Sequence, residues 1–428
     1  MNWSRLGKPL MTSLEIRRLT PLEVDDSIPL FANAYPGLEL FNHANRARYR
    51  ERLAALQRDP HTNFYGCFDA NELRGVMRWH DFTMNLFGQE VLVGGLGGVA
   101  VDLLHKKERI AARMVRAFLD HYRHAGACLA ALYPFRPDFY HRMGFGYGTP
   151  MQAYHFSPAS LPRWGNKNGL AFLDGGDRRA IHACYERYYK HRHGVMARRI
   201  EYWDAILEEP SLQTVGAFRD NKLAAYVVYS FERGAQASFL SNELHIRELV
   251  YDSTADLHCL LHYLHTQADQ FEQIAFTTQD DSFYFLLSDP RSAGGNILPH
   301  TIAHESSTQG LGIMYRVIDV PRFFEQLQTR NFGGVSCRFE LVLGDSFFPP
   351  NRGSYIVEVE DGSMQLETGD KPEVRLTLDV ADFSSLVLGV IGLDKLVDYG
   401  LATLSDHSYL ARLERLFAGP KPVCLTAF

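Results

Sequence analysis

The chain has 428 residues, 46% of them hydrophobic, with a formal net charge of −6. At roughly 150 residues per domain, that length allows two to four domains with ample core material. The acidic balance argues against nucleic acid as a partner and suits a cationic substrate. No uncharged apolar run approaches the ~20 residues of a membrane helix, so no membrane partner is expected.

In chain order, MNWSRLGKPLMTSLEIRRLT lacks the apolar core of a signal peptide. The first ten residues are expected to be poorly ordered, and a strand begins at Leu14. Six cysteines without CxxC spacing read as free thiols of a reducing compartment, hence a cytoplasmic protein. Asp25 and Asp26 suit a helix start. With Phe31 and Tyr35 they also offer an acidic and aromatic edge to an amine substrate.

YGCFDANELRGVMRW, from Tyr65, reads as strand, polar turn, strand. GGLGGVAVDLLHKKERIAARMV follows, Gly94 to Val115. Its glycines lead into a short buried strand, then a bend with His105, Lys106 and Lys107, then a helix. Ile110, Met114, Phe118 and Tyr122, with Val115 and Leu119 beside them, form one apolar helix face. Unpaired N–H groups at such a helix start, with two lysines nearby, form a plausible pyrophosphate cradle. The plainer reading is an ordinary strand-loop-helix with solvated lysines. FYHRMGFGYG, Phe139 to Gly148, then sets a tyrosine ahead of a glycine-rich turn.

VGAFRDNKLAAYVVY, from Val215, repeats the first hairpin 150 residues later, matching Gly66, Phe68, Asn71 and Leu73 with Gly216, Phe218, Asn221 and Leu223. Carried forward without a gap, LGGVAVD falls on IRELVYD, so a unit of about 150 residues is duplicated. At that offset Gly97 and Gly98 become Arg247 and Glu248, while Lys106 and Lys107 become Asp256 and Leu257. A carboxylate in place of a lysine repels phosphates, which predicts one cofactor site, in the first copy. His258, His262 and His265 share a helix face beside Cys259 but border the apolar stripe, so a solvated role is expected and no metal site. HESSTQGLG, near residue 305, reads as a linker. A hairpin around Asp361 and Gly362, the strand VRLTLDV and helices from Ala381 then make a small α+β unit.

Gly-Gly-Val-Ala-Val, the basic bend, the amphipathic helix and FYHRMGFGYG together resemble GCN5-related N-acetyltransferases (GNAT). The whole layout resembles the enhanced-intracellular-survival (Eis) type. That resemblance implies an α+β fold of mixed sheets: an acetyl-CoA-binding GNAT domain over 1–150, a degenerate GNAT-like domain over 151–308, and a sterol-carrier-protein-like domain over 309–428. It implies a cytoplasmic N-acetyltransferase acting on primary amines (an aminoglycoside, a polyamine or a lysine side chain), assembled as a homo-oligomer such as a hexamer. Val99, Ala100 and Val101 would pair with the pantetheine arm and supply the oxyanion donor. Lys106, Lys107, Glu108, Arg109, Ile110, Ala111 and Ala112 would hold the pyrophosphate, and Phe135 and Arg136 would add a cofactor contact. Arg109 replaces a glycine of the family pattern, and Glu108 brings a negative charge to the phosphates. Both features favour an alternative reading, a non-catalytic protein that binds an apolar ligand and keeps vestigial CoA binding.

By the same resemblance Tyr140 is the general acid and the terminal carboxylate of Phe428 the general base. A phenol titrates near ~10 and a thiol near ~8.5, so full proton transfer to the leaving thiolate is uphill by roughly 2 kcal/mol. Tyr140 either has a lowered pKa or mainly hydrogen-bonds the sulfur. Burial would raise the pKa of the Phe428 carboxylate toward that of a useful base.

Overall fold

The computed structural model describes residues 14–233, 242–292, 294–298, 302–367, 369 and 371–428. The expected disorder of the first ten residues lies outside them. Helices and mixed sheets alternate along the described chain, as expected for this fold class.

The first sheet takes β1 (Leu14–Arg18), β2 (Thr62–Asp69), β3 (Glu72–Leu86), β4 (Gln89–Val101), β5 (Leu129–Leu132) and β6 (Gly146–Tyr147). The second takes β7 (Met151–Phe156), β8 (Leu170–Phe172), β9 (Leu212–Arg219), β10 (Lys222–Arg233), β11 (Asn242–Tyr251), β12 (Gln273–Thr278) and β13 (Thr308–Gly310). The helices that accompany them are α1 (Pro21–Asp26), α2 (Ile28–Ala34), α3 (His43–Arg58), α4 (Ile110–His124), α5 (Pro137–His141), α6 (Arg178–His191), α7 (Tyr202–Leu207) and α8 (Thr254–His265). All six apolar positions read from the α4 periodicity are buried, against β3 and β4.

The repeat is visible in the sheets. β2 and β9 begin at 62 and 212, β3 and β10 at 72 and 222, and β4 and β11 end at 101 and 251. Beyond that point the ungapped equivalence fails. Residues 102–109 join β4 to α4, whereas only Asp252 and Ser253 join β11 to α8. The second copy therefore lacks the basic bend altogether, and Asp256 lies inside α8 rather than where Lys106 stands.

The sheets are interlocked. β14 (Met314–Val317) lies between β5 and β6, antiparallel to both. β7 likewise lies between β12 and β13. The first sheet runs β1-β2-β3-β4-β5-β14-β6, and the second, in matching sense, β8-β9-β10-β11-β12-β7-β13. Each copy thus lends the other one interior strand. The polar texture near residue 305 reads as the start of a third unit, yet the chain first makes β13 and β14 in the two earlier sheets.

The third unit has α9 (Val320–Gln326), β15 (Cys337–Gly344), β16 (Gly353–Glu360), β17 (Ser363–Glu367), β18 (Val374–Asp379), α10 (Val380–Val387), α11 (Leu393–Asp398), β19 (Ala402–Leu404) and α12 (Leu410–Phe417). β16 and β17 form the expected hairpin, pairing Glu360 with Ser363. A cavity beside α10 and α12 measures about 190 Å³. One core cluster joins Met84, Val91 and Val93 of the first sheet to Phe323, Leu341 and Phe383 of the third unit.

Candidate active site

β4 pairs in parallel with β5 only from Val93↔Leu129 to Leu96↔Leu132. β5 then ends, so the β4 edge carrying Val99, Ala100 and Val101 has no partner on that side. The strands part beside a β-bulge: Arg78 pairs with Gly97 and Val76 with Ala100, leaving two residues opposite Met77. Gly98, at φ 57°, takes the left-handed conformation that such a bulge needs. A cavity of about 230 Å³ lies at this opening. Tyr35, Val99, Phe135, Tyr140 and Phe428 line it, as do Phe31, Tyr49, Arg52 and Arg78.

Tyr140 sits on the one-turn helix α5, only 3% exposed. Its ring meets Phe139 edge-on at 5.2 Å, and Phe135 and Phe145 at 6.1 Å. Its hydroxyl has no hydrogen-bond partner among the described residues. Burial first, and then the nearby Tyr35 hydroxyl, push its pKa up. That direction favours the protonated phenol and the second of the two options above. The glycines after it answer to the rest of the fold. Arg316 of β14, fully buried, donates to the Met143 carbonyl and pairs with Asp345. A Cβ on Gly144 would collide with that guanidinium, and one on Gly146 would stand 2.1 Å from the Ala381 carbonyl of α10.

The start of α4 is open. Its N-cap, Arg109, makes no side-chain cap, whereas Ser253 caps α8. Lys107 and Arg109 both hold left-handed backbone, at φ 70° and 62°, so Arg109 has the conformation of the glycine it replaces. Lys106 and Lys107 are exposed. Ile110 is buried in the first turn beside Ala111 and Ala112. The Glu108 carboxylate turns to His105 Nδ1 at 2.9 Å. Phe135 is 60% exposed at the cavity mouth, and Arg136 pairs with Asp138 at 2.7 Å outside the cavity wall. An L-residue in left-handed backbone costs about 1–2 kcal/mol. Arg109→Gly is therefore expected to raise thermal stability by up to about 1 kcal/mol and keep CoA binding, while the β-branched Arg109→Val lowers both. A tenfold loss of CoA binding in Arg109→Gly would show that the arginine side chain, not the backbone, holds the anion.

The C-terminal tail crosses from the second sheet to the first. β11 and β12 part after Ile246↔Phe276, as β4 and β5 do, and the tail runs along that opening. Lys421 pairs with Asp281 at 2.7 Å, and the Thr149 hydroxyl donates to the Pro422 carbonyl at 2.7 Å. Val423 N–H donates to the His193 carbonyl at 2.8 Å, and Arg198 Nη2 to the Leu425 carbonyl at 2.6 Å. Tyr133 Oη reaches the Thr426 carbonyl at 3.4 Å. Arg198 is itself held at 2.7 Å by buried Glu248, which also accepts from Tyr226 at 2.6 Å. Sequence reasoning missed Arg198. Its signal was Glu248, a carboxylate at the Gly98 position of a buried strand, which requires a cation.

Phe428 packs edge-on against Phe82, Tyr133 and His80 at 4.8, 5.4 and 5.6 Å. Its main-chain carboxyl carbon, Arg78 Nη2 and His80 Nε2 stand 3.4, 3.2 and 3.4 Å from where a Gly97 Cβ would lie. His80 contacts Thr62 Oγ1 through Nδ1 at 3.1 Å, and burial with the Arg78 charge lowers its pKa to about 3, so the ring is neutral. Of the acidic and aromatic edge, Phe31 and Tyr35 line the cavity, and the Tyr35 hydroxyl donates to the Val99 carbonyl at 2.9 Å. Asp25 and Asp26 do not: Asp25 turns to Arg50 of α3 at 3.0 Å. On α8, His262 and His265 stack at 6.5 Å while His258 faces Trp164 at 5.1 Å.

The strand pair that opens at a bulge, and the uncapped helix start behind it, both lie in a domain of acetyltransferase type. The acetyltransferase (GNAT) domain family matches residues 15–148, a second GNAT family matches 194–316, and the sterol carrier protein domain matches 320–425. The chain belongs to the GNAT superfamily and is an N-acetyltransferase; its three-part order is that of the Eis type. No curated protein matches it by sequence. By fold it is similar to a GCN5-related N-acetyltransferase from Anabaena variabilis (17% identity, TM-score 0.80), another from Kribbella flavida (20%, 0.74) and Eis1 from Mycobacterium abscessus (20%, 0.76). Each comparison covers 97% of this chain and 100% of the other. No helix among the described residues is long and apolar enough to cross a membrane.

Proposed function

We propose that the first domain transfers the acetyl group of acetyl-CoA to a primary amine, with Tyr140 and the α-carboxyl group of Phe428 acting from opposite sides of one cavity. The observation that carries this reading is that both residues, far apart in sequence, line the same opening of β4. GNAT domains imply acetyl-CoA, which brings the thioester. The residues present fit it: an unpaired strand edge at Val99 to Val101 and an uncapped helix start behind two lysines. Backbone N–H groups at the bulge stabilise the carbonyl oxygen as charge develops. Where Phe428 closes the chain, its carboxylate takes the amine proton, oriented by Arg78 and by the neutral His80. Tyr140 donates a hydrogen bond to the departing sulfur. With its pKa raised, it steadies the thiolate rather than yielding its proton early. The third unit serves to seat the tail. The cytoplasmic location and the homo-oligomer belong to the same proposal, and six unpaired thiols support the first.

Thiol release from acetyl-CoA, followed with aminoglycosides, polyamines and other amines, tests the reading. Tyr140→Phe is expected to lower kcat by roughly 10²–10⁴-fold with CoA affinity unchanged. One residue added after Phe428 displaces the carboxylate and lowers kcat comparably. Full activity in the extended protein would refute the terminal base.

A further inference from the structure

We infer that the acceptor is an amine that also carries an anionic group, a carboxylate, sulfonate or phosphate, bound by Arg52. The inference rests on the acetyl-transfer reading above and narrows its substrate class.

Two side chains bring charge to the cavity wall: Arg52 of α3 and Arg78 of β3. Among the described residues no aspartate or glutamate side chain lines it. Neither arginine has an ion-pair or hydrogen-bond partner among the described residues, and Arg78 Nε is buried without one. Nearby, Arg50, two residues before Arg52 on the same helix, holds Asp25, and Arg199 holds Asp59. Arg78 Nη2 and the Phe428 carboxyl carbon both flank Gly97, so the proposed mechanism already gives Arg78 a nearby counter-charge. Arg52 is left over. Two guanidinium groups against one carboxylate leave the cavity wall positively charged, which favours an anionic group on the ligand.

Arginine's planar fork matches a carboxylate or phosphate with two parallel hydrogen bonds. Phe31, Tyr35 and Tyr49, whose rings meet at 5.7 to 6.3 Å, supply an aromatic wall in the same cavity. A polycation finds the opposite conditions. The acidic side chain that sequence offered it, Asp25, is already paired, and each added ammonium meets two arginines. At about 230 Å³ the cavity suits a small acceptor with the amine at one end and the anion at the other.

Thiol release with amines matched in length tests this: 5-aminopentanoate, phosphoethanolamine and taurine against 1,5-diaminopentane, 1,2-diaminoethane and spermidine. The anionic amines are expected to exceed the diamines in kcat/KM by about tenfold or more, the worth of one charge-assisted hydrogen bond. Arg52 lies exposed on α3, so Arg52→Gln is expected to fold, which thermal unfolding checks. It raises KM for the anionic amines about tenfold, with a smaller change in kcat. Arg52→Lys recovers part of that loss, and Arg52→Glu inverts the preference. Preferred turnover of diamines, or an Arg52→Gln that leaves KM for the anionic amines unchanged, overturns the inference while acetyl transfer stands. If no amine releases thiol and acetyl-CoA does not bind, both readings fall.

Discussion

Arg198→Met is expected to lower the free energy of unfolding by about 3–5 kcal/mol, because it leaves the Glu248 carboxylate buried without a counter-charge. Arg198 and Glu248 are 1% and 7% exposed, and Arg198 also stacks within 4.2 Å of Tyr185 and Tyr202. The same substitution removes the donor to the Leu425 carbonyl, three residues before Phe428, so turnover falls as well. A second variant separates the effects. Arg198→Met with Glu248→Leu removes both charges, and buried pairs replaced by apolar residues often regain stability. The double variant is expected to recover most of the unfolding free energy, read from urea denaturation, but not the turnover. Loss of less than 1 kcal/mol in the single variant would contradict the buried pair. Full turnover in the double variant would show that the tail is placed without Arg198.

A fragment ending at Gly148 is expected to show no cooperative unfolding transition. It contains β1 to β6 and the residues of the proposed acetyl-transfer site up to Tyr140, yet it lacks β14, the strand that joins β5 to β6. All four residues of β14 are buried. Burial of Met314, Tyr315 and Val317 stabilises by about 1.5–3 kcal/mol each, against a total stability of only about 5–15 kcal/mol for a domain. The fragment also loses Arg316, which holds the Met143 carbonyl behind Tyr140. Supplying residues 312–319 through a short linker is expected to restore a sigmoidal melt by circular dichroism. Cooperative melting of the unaided fragment would show that the exchanged strand is dispensable.

Local periodicity explains what the sequence revealed. The two hairpins and the apolar face of α4 depend on neighbouring residues, and all stand where that pattern places them. β14 was missed because it is four residues long, follows a polar glycine-containing stretch and gains its stability wholly from distant partners. The six-residue shortening before α8 escaped because the repeat was carried forward without a gap. Arg109 was read as a departure from a glycine pattern, yet its backbone keeps the glycine conformation, which no residue name announces. The charge of the cavity wall was not legible for a different reason. Net charge is a property of the whole surface, and a value of −6 says nothing about two arginines gathered at one cavity.

The tail lying along the β11–β12 opening casts the second domain as a receptor, and its ligand is the end of its own chain. A tethered ligand sees its site at millimolar effective concentration or above. Individually weak contacts, such as the Thr149 and Tyr133 hydrogen bonds, can therefore keep it seated. The tail leaves a cavity of about 600 Å³ beside it at that opening, yet its own seating does not depend on the supply of small molecules. Under the proposed mechanism, occupancy that a cofactor would make conditional becomes constitutive, and the Phe428 carboxylate arrives at the neighbouring site with it.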